Sequence, residues 1–277
     1  MCGVRHDTIA GVARLTLIAA AQQNPLNAST LTALASAVQH AEDDTSIRAI
    51  VIDAEGEHFC SGMDLSAGLD SELDAGMESL RLFADTLLRI RRTRLPVIAC
   101  IEGKAAGGGV GLAAACDIVL ASTTASFILP EVIVGMVPAL ITPFLLRRVT
   151  AGRLGHLALS SRTLPALEAR ELGIVDEVAD DVRAALGRQL SRIGRSAPEA
   201  IAESKRCIDR MDGRNLEQQM EAACTIQFER LQRADVREGV QQFADGFSPR
   251  WFSRIGGSLT DPSATFIDRG KGRPETR

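Results

Sequence analysis

Apolar positions along the 277-residue chain recur with two different periods. Ile9–Ala20 (IAGVARLTLIAA) alternates partly and predicts a strand, broken by Asn24-Pro25-Leu26-Asn27. Leu31, Leu34, Ala37, Val38 and Ala41 fall at helical spacing and predict a helix over Leu31–Glu42, capped by Asn27 or Ser29. Ala49–Asp53 (AIVID) predicts a short buried strand, followed by a loop over Ala54–Leu65. Leu80, Phe83, Ala84, Leu87 and Leu88 give one apolar face to a helix over Met77–Arg91. Pro96–Ile101 is the next buried strand, and Ile118–Ala121 and Ser126–Leu129 are short β-like pieces. This alternation predicts parallel βαβ units and an α/β fold.

Beyond Glu131 the period becomes mainly helical. Pro138–Val149 predicts a helix that Pro143 either kinks or starts. Gly152–Leu159, Leu164–Leu172 and Val182–Ile193 predict helices, with a short strand at Ile174–Val178. Pro198–Met211, Leu216–Arg233 and Val236–Phe243 predict three more helices. The pattern divides the chain into a core over 1–195, a helical region over 196–257 and a loose tail over 258–277, where large apolar residues are few.

Composition narrows the classes. An apolar content of 45% against 24% charged residues suits a soluble globular protein. The net charge of −4 argues against a general nucleic-acid surface. No run of about 18 apolar residues predicts a membrane span. Arg5, His6 and Asp7 interrupt any signal peptide, so a cytoplasmic protein is expected. The six cysteines form no CxxC pair, and with the four histidines they make no metal-ligand spacing. Reduced thiols and no bound metal are the expectation, with Cys100 and Cys116 as small core residues.

Candidate chemistry centres on Gly103–Asp117 (GKAAGGGVGLAAACD), which follows a buried strand. Gly107, Gly108 and Gly109 open a helical run of small residues, an arrangement that leaves backbone N–H groups free at a helix N-terminus. Taken alone, the stretch fits either an anion site or close packing of helix on strand. A P-loop is excluded because Gly109 stands where its lysine belongs, and a dinucleotide fingerprint because the spacing is GxGxG. A second loop, His58–Leu65, also follows a strand. If the two strands are neighbours, one N–H from each loop can face one oxygen, forming an oxyanion hole.

FCSGMDL, GGGVGL followed by CDIVLA, and FILPEV with the following G and VP together resemble the crotonase superfamily, the enoyl-CoA hydratase/isomerase group. NPLNASTLTALASAV and SIRAIVIDAEG resemble its opening, and the likeness runs from Ile9 to about Val178. It implies a spiral of ββα/βαβ turns with a helical C-terminal trimerisation region, thioester substrates, and a homotrimer or hexamer. It places the two oxyanion donors at the backbone amides of Met63 and Gly108. The positions matching the family's two glutamates are Gly111, which has no side chain, and Glu131, which is left as the catalytic acid/base. Cys60, Ser61, Gly62, Asp64, Gly107, Gly109, Gly111 and Pro138 are the expected substrate-binding wall.

A narrower likeness, through CSGMD, VPALITPFLLRRV and GVQQFADGFSPRWF, is to the dehydratases of polyketide β-branching. It implies dehydration of 3-hydroxy-3-methylglutaryl to 3-methylglutaconyl on an acyl carrier protein (ACP). No cofactor is implied beyond the carrier's phosphopantetheine or CoA. The sequence departs from that pattern at Leu129-Pro130-Glu131, where Ser-Glu is expected. The alternatives are a CoA-dependent hydratase or isomerase of the 3-methylglutaconyl-CoA type, and a non-catalytic assembly protein, which Gly111 alone favours. Among secondary candidates, Asp64 is expected to cap the turn that shapes the first donor rather than to do chemistry, and Cys60 lacks an evident base to activate it. Lys104 is expected to be solvated, the alternative being an approach to the substrate's distal carboxylate or the pantetheine. Arg91, Arg92, Arg94, Arg147 and Arg148 are basic clusters that a carrier protein or solvent can face.

Overall fold

The computed structural model describes residues 3–64 and 73–253, so the expected tail over 258–277 and Leu65 lie outside the described residues. The chain opens with a hairpin of β1 (Val4–Ile9) and β2 (Val12–Leu17). Ile9–Ala20 is therefore not one strand. Ala10 and Gly11 both take positive φ, 48° and 78°, the backbone of a two-residue hairpin turn. The apolar run straddles that turn, with Ile9 left 60% exposed on the outer strand.

A six-stranded sheet, ordered β1-β2-β4-β7-β9-β12, is parallel except for the hairpin. Its other members are β4 (Ala49–Ala54), β7 (Val97–Ile101), β9 (Ile118–Ser122) and β12 (Glu177–Ala179). Both faces are covered, as parallel strands require. Ile50, Ile52, Ala99 and Ile101 join the main core. Helices α1 (Ala28–Asp43) and α2 (Leu73–Arg92) pack into that core. Ala49, Val51, Ile98 and Cys100 face the other way and pack with Val182, Ala185 and Ile193 of α7 (Val182–Gly194). Asn27 caps α1, accepting the Thr30 N–H at 2.9 Å.

The loop expected over Ala54–Leu65 contains β5 (His58–Cys60) and β6 (Gly62–Met63). β6 pairs with β3 (Pro25–Leu26), while β5 joins a second sheet ordered β11-β10-β8-β5. There β8 (Lys104–Ala106) and β10 (Ser126–Ile128) run parallel to β5, and β11 (Leu164–Pro165) closes the edge antiparallel. From β4 to β10 each pass of the chain thus makes one strand in the large sheet and one in the small sheet before its next helix. This is the spiral of ββα turns. Pieces of two or three residues carry no readable period, which hides β5, β6, β8 and β11 in the sequence, while β10 falls on the β-like piece at Ser126–Leu129.

Past β8 come α3 (Gly108–Ala115), a four-residue 3-10 turn (Glu131–Val134), α4 (Thr142–Leu145), α5 (Ala151–Ser160) and α6 (Ala166–Leu172). The helix expected over Pro138–Val149 shrinks to α4, because Pro143 marks its first turn. Leu164 and Pro165 are strand rather than helix, and the strand expected at Ile174–Val178 lies at Glu177–Ala179. After α7 the described chain is helical: α8 (Pro198–Met211), α9 (Leu216–Gln232) and α10 (Ala234–Ala244). No described helix is long and apolar enough to cross a membrane.

Asp117, just before β9, ties α8 to the sheet. Its Oδ2 accepts the Val97 N–H at 2.8 Å and Lys205 Nζ at 2.6 Å, and its Oδ1 accepts Arg91 Nη1 at 3.3 Å. Asp117→Asn removes the charge and sets an amide against a cation. Urea unfolding should show a loss of about 1–3 kcal/mol, and an unchanged midpoint would show that the tie carries no stability.

Candidate active site

Three neighbouring parallel strands of the small sheet, β5, β8 and β10, end on one side. Past their carboxyl ends lie the Cys60–Asp64 loop, the Gly107–Gly108 helix start and Pro130-Glu131. The pairing of Ile128 with Ala106 and of Ala105 with Cys60 fixes how far each reaches. The Gly107 N–H extends the ladder to the Ile128 carbonyl at 3.0 Å. A cavity of about 530 Å³ opens there. Such a crevice is where ligands of α/β sheets sit.

The three consecutive glycines have three separate reasons. Gly107 is the N-cap of α3 with φ 49° and ψ −117°, a conformation open to glycine. Its missing Cβ faces Glu131, whose Oε1 would lie 3.1 Å from it. Gly108 faces the other loop, and its Cβ would lie 3.1 Å from the Met63 nitrogen. Gly109 faces the core, with the Cys60 carbonyl oxygen 2.6 Å from its Cβ position. Gly62, at φ 96°, is equally confined, its Cβ position lying 3.0 Å from the Gly108 nitrogen.

Two amides are thereby brought together. Gly108 is the first residue of α3, where an N–H has no intrahelical acceptor, and no side chain caps that end. On β6 the Asp64 N–H donates to the Leu26 carbonyl at 3.4 Å, so by strand alternation the Met63 N–H faces away from β3. Both residues line the cavity.

Glu131 begins the 3-10 turn. The residue is half-buried, but its Oε2 is sealed from solvent and has no hydrogen-bond partner. Burial pushes its pKa up to about 7, opposed only by its own backbone N–H. Glu131 and Asp64 are the ionisable side chains among the described residues lining the cavity, and no cationic one lines it. The rest of the wall is mainly apolar, including Phe83, Val134, Met136, Leu140 and Ile141.

Of the residues expected from sequence, Ser61, Gly62, Met63, Asp64, Gly107, Gly108, Glu131 and Pro138 line this cavity. Cys60, Gly109 and Gly111 do not, and they are packing residues. Cys60 is fully buried against Gly109, its Sγ accepts the Gly62 N–H at 3.4 Å, and burial holds its pKa near 12. At Gly111 the space for a side chain is taken: Ile141 Cγ2 lies 2.1 Å from the Cβ position. The position matching a second glutamate is therefore filled with hydrocarbon from another segment.

The basic clusters are committed to ion pairs and carbonyls. Arg91 and Arg147 both bind Asp209, and Arg92 binds Glu217. Arg94 donates to the Glu42 carbonyl at 2.8 Å. Arg148 reaches Asp176 and the Cys116 carbonyl.

Sequence reasoning missed Gln227 on α9. It is 6% exposed, lines the cavity, and its buried Oε1 has no partner. The signal was present, since it continues the buried stripe Leu216, Met220, Ala223 and Cys224 as its one amide.

A family model described as enoyl-CoA hydratase/isomerase matches residues 7–254. A probable enoyl-CoA hydratase of Rhodobacter capsulatus is 32% identical over 91% of this chain and 98% of its own. Among solved structures, a putative enoyl-CoA hydratase from Mycobacterium avium paratuberculosis superposes with a TM-score of 0.83 at 32% identity. That match covers 90% of this chain and 99% of the other. A putative polyketide biosynthesis enoyl-CoA hydratase (pksH) from Bacillus subtilis superposes with a TM-score of 0.80 over 89% of this chain and 98% of its own. At 23% identity that likeness shows the fold alone.

The raised pKa has a stability consequence. The folded state binds a proton at Glu131 more tightly than the unfolded chain, whose value is 4.5. The protonated form is favoured, so this stability is fully present below pH 4.5 and is lost as pH rises through about 7. Glu131→Gln should match the wild type in acid and exceed it at pH 8, by at most on the order of 3 kcal/mol. Urea unfolding at the two pH values checks this, and an equal difference at both would contradict it.

Proposed function

This chain belongs to the enoyl-CoA hydratase/isomerase (crotonase) family and is an enzyme of hydro-lyase type, and we propose that it interconverts a 3-hydroxyacyl thioester and its 2-enoyl form with Glu131 as sole acid and base. The observation that carries this is a carboxylate with one buried, unpartnered oxygen sharing one cavity with two neighbouring backbone amides.

The Met63 and Gly108 N–H groups receive the thioester oxygen. Glu131 takes the C2 proton, and the negative charge moves onto that oxygen, where the two donors stabilise it. The electron pair then returns to form the C2–C3 double bond as the C3–O bond breaks. Glu131 gives its proton to the departing hydroxyl, and water leaves from the same face. One carboxylate serves both steps because the proton it takes is the proton it returns. A pKa near neutrality suits a group that must act both ways. A non-catalytic scaffold has no use for a carboxylate buried at such cost.

The finer reading is 3-hydroxy-3-methylglutaryl carried on ACP. Its support is the likeness of VPALITPFLLRRV and GVQQFADGFSPRWF to the β-branching dehydratases. A second reading, a CoA thioester with an uncharged acyl chain, is favoured by the lack of a cation among the described lining residues.

Glu131→Gln should lower turnover roughly 10²–10⁴-fold with KM nearly unchanged, whereas Met63→Leu should stay within about twofold because its donor is backbone. In the wild type, kcat/KM should climb with pH and level off above about 7, since either direction begins from ionised Glu131. Near-normal turnover by the Gln variant would sink the mechanism. Mass measurement of water loss from three substrates separates the finer readings: carrier-bound 3-hydroxy-3-methylglutaryl, its CoA thioester and an uncharged 3-hydroxyacyl-CoA. Preference for the first supports the carrier reading, and preference for the last supports the second.

A further inference from the structure

The turn that carries Glu131 has little to hold it in place by itself. It is a four-residue 3-10 helix, a form with poor internal hydrogen-bond geometry. Gly135, in left-handed conformation at φ 78°, caps it by donating to the Glu131 and Val132 carbonyls. The later carbonyls, at Ile133 and Gly135, are left to find donors elsewhere.

Both donors come from the far end of the chain. Trp251 Nε1 donates to the Ile133 carbonyl at 3.2 Å. Arg230 Nε donates to the Gly135 carbonyl at 3.1 Å, and Arg230 Nη2 donates to the same oxygen. Beneath them, Val134 and Met136 form a small separate core with Val236 and Val240 of α10. The indole fits only because two residues lack side chains. Its ring comes within 2.0 Å of the Cβ position of Gly239 and 2.9 Å of that of Gly135. α10 also supplies Val240, Phe243 and Ala244 to the cavity wall.

We propose that this C-terminal segment is a clamp that holds Glu131 in its working position, with Arg230 and Trp251 as positioning residues. A carboxylate with one oxygen buried and unpartnered gains free energy by swinging toward water when it ionises. The turn beneath it must resist that movement, and its own four residues supply few of the bonds that do so. The clamp supplies a charged double donor on one carbonyl, an indole donor on another, and an apolar seat.

The inference rests on the proposed role of Glu131, so its test has one arm that needs no substrate. Hydrogen exchange is followed by mass spectrometry at the backbone amides of residues 132–136, in the wild type, Arg230→Met, Arg230→Lys, Trp251→Phe and Gly239→Ala. Exchange there should accelerate in Arg230→Met and Gly239→Ala and return toward wild type in Arg230→Lys. The kinetic arm uses hydration of a short 2-enoyl-CoA. Arg230→Met should lose about 10–100-fold in kcat with KM changed less than about threefold, because misplacement of a catalytic group by about 1 Å acts on the reacting step. Loss of the cavity wall alone would raise KM instead. Should Arg230→Met fail to fold, Trp251→Phe and Gly239→Ala carry the same comparison. Wild-type exchange at 132–136 in folded variants, or an unchanged kcat, overturns the clamp. Absence of turnover by the wild type on any acyl thioester overturns the functional reading, while the exchange arm still decides the clamp.

Discussion

A carboxylate with one oxygen sealed from water and no partner is under constant pressure to protonate or to move. Glu131 is in that position. Protonation is the outcome the proposed mechanism uses, because a group poised near neutrality can both take and return a proton. Movement is the outcome the fold has to prevent. Gly107 leaves the space the carboxylate occupies, the small sheet fixes where the preceding strand ends, and the C-terminal bonds stiffen the turn. Removing any of these gives the charge a route to solvent.

The donors facing Glu131 are constrained in a different way. In the proposed mechanism Met63 and Gly108 act through backbone, so what must be kept is the path of the chain. That path is set by contacts at van der Waals limits: Gly62 against the Gly108 nitrogen, Gly108 against the Met63 nitrogen, Gly109 against the Cys60 carbonyl. Cys60 and Gly109 never reach the cavity, yet they set the spacing between the two loops that do. Gly111 and Ile141 show the same economy: Gly111 carries no side chain, and a neighbouring segment has closed over the space one would take.

Long elements were legible in the sequence because they repeat a period. α1, α2, β4 and β7 follow from apolar spacing, and Asn27 was a recognisable cap. Of the small sheet only β10 was legible, as the β-like piece at Ser126–Leu129; β5, β8 and β11, of two and three residues, show no alternation, and it is this sheet that aims the site. Glu131 entered through resemblance to a family, because its burial depends on segments distant in the chain. Gln227 broke an apolar stripe and was readable in principle. Arg230 and Trp251 left no local sign, since their partners are backbone carbonyls 95 and 118 positions away.

Those separations also set an order of events during synthesis. The turn bearing Glu131 leaves the ribosome long before Arg230 and Trp251 do. At about 5–20 residues per second, the interval is on the order of 5–25 seconds. Through that time the strand ends and glycine loops can assemble, but the carbonyls of Ile133 and Gly135 have no donor from the chain's end. A nascent chain at that stage can thus carry the two glycine loops without the bonds that hold the turn and without the α9 and α10 part of the cavity wall. The proposed clamp is complete only once Trp251 has followed α10 out of the ribosome.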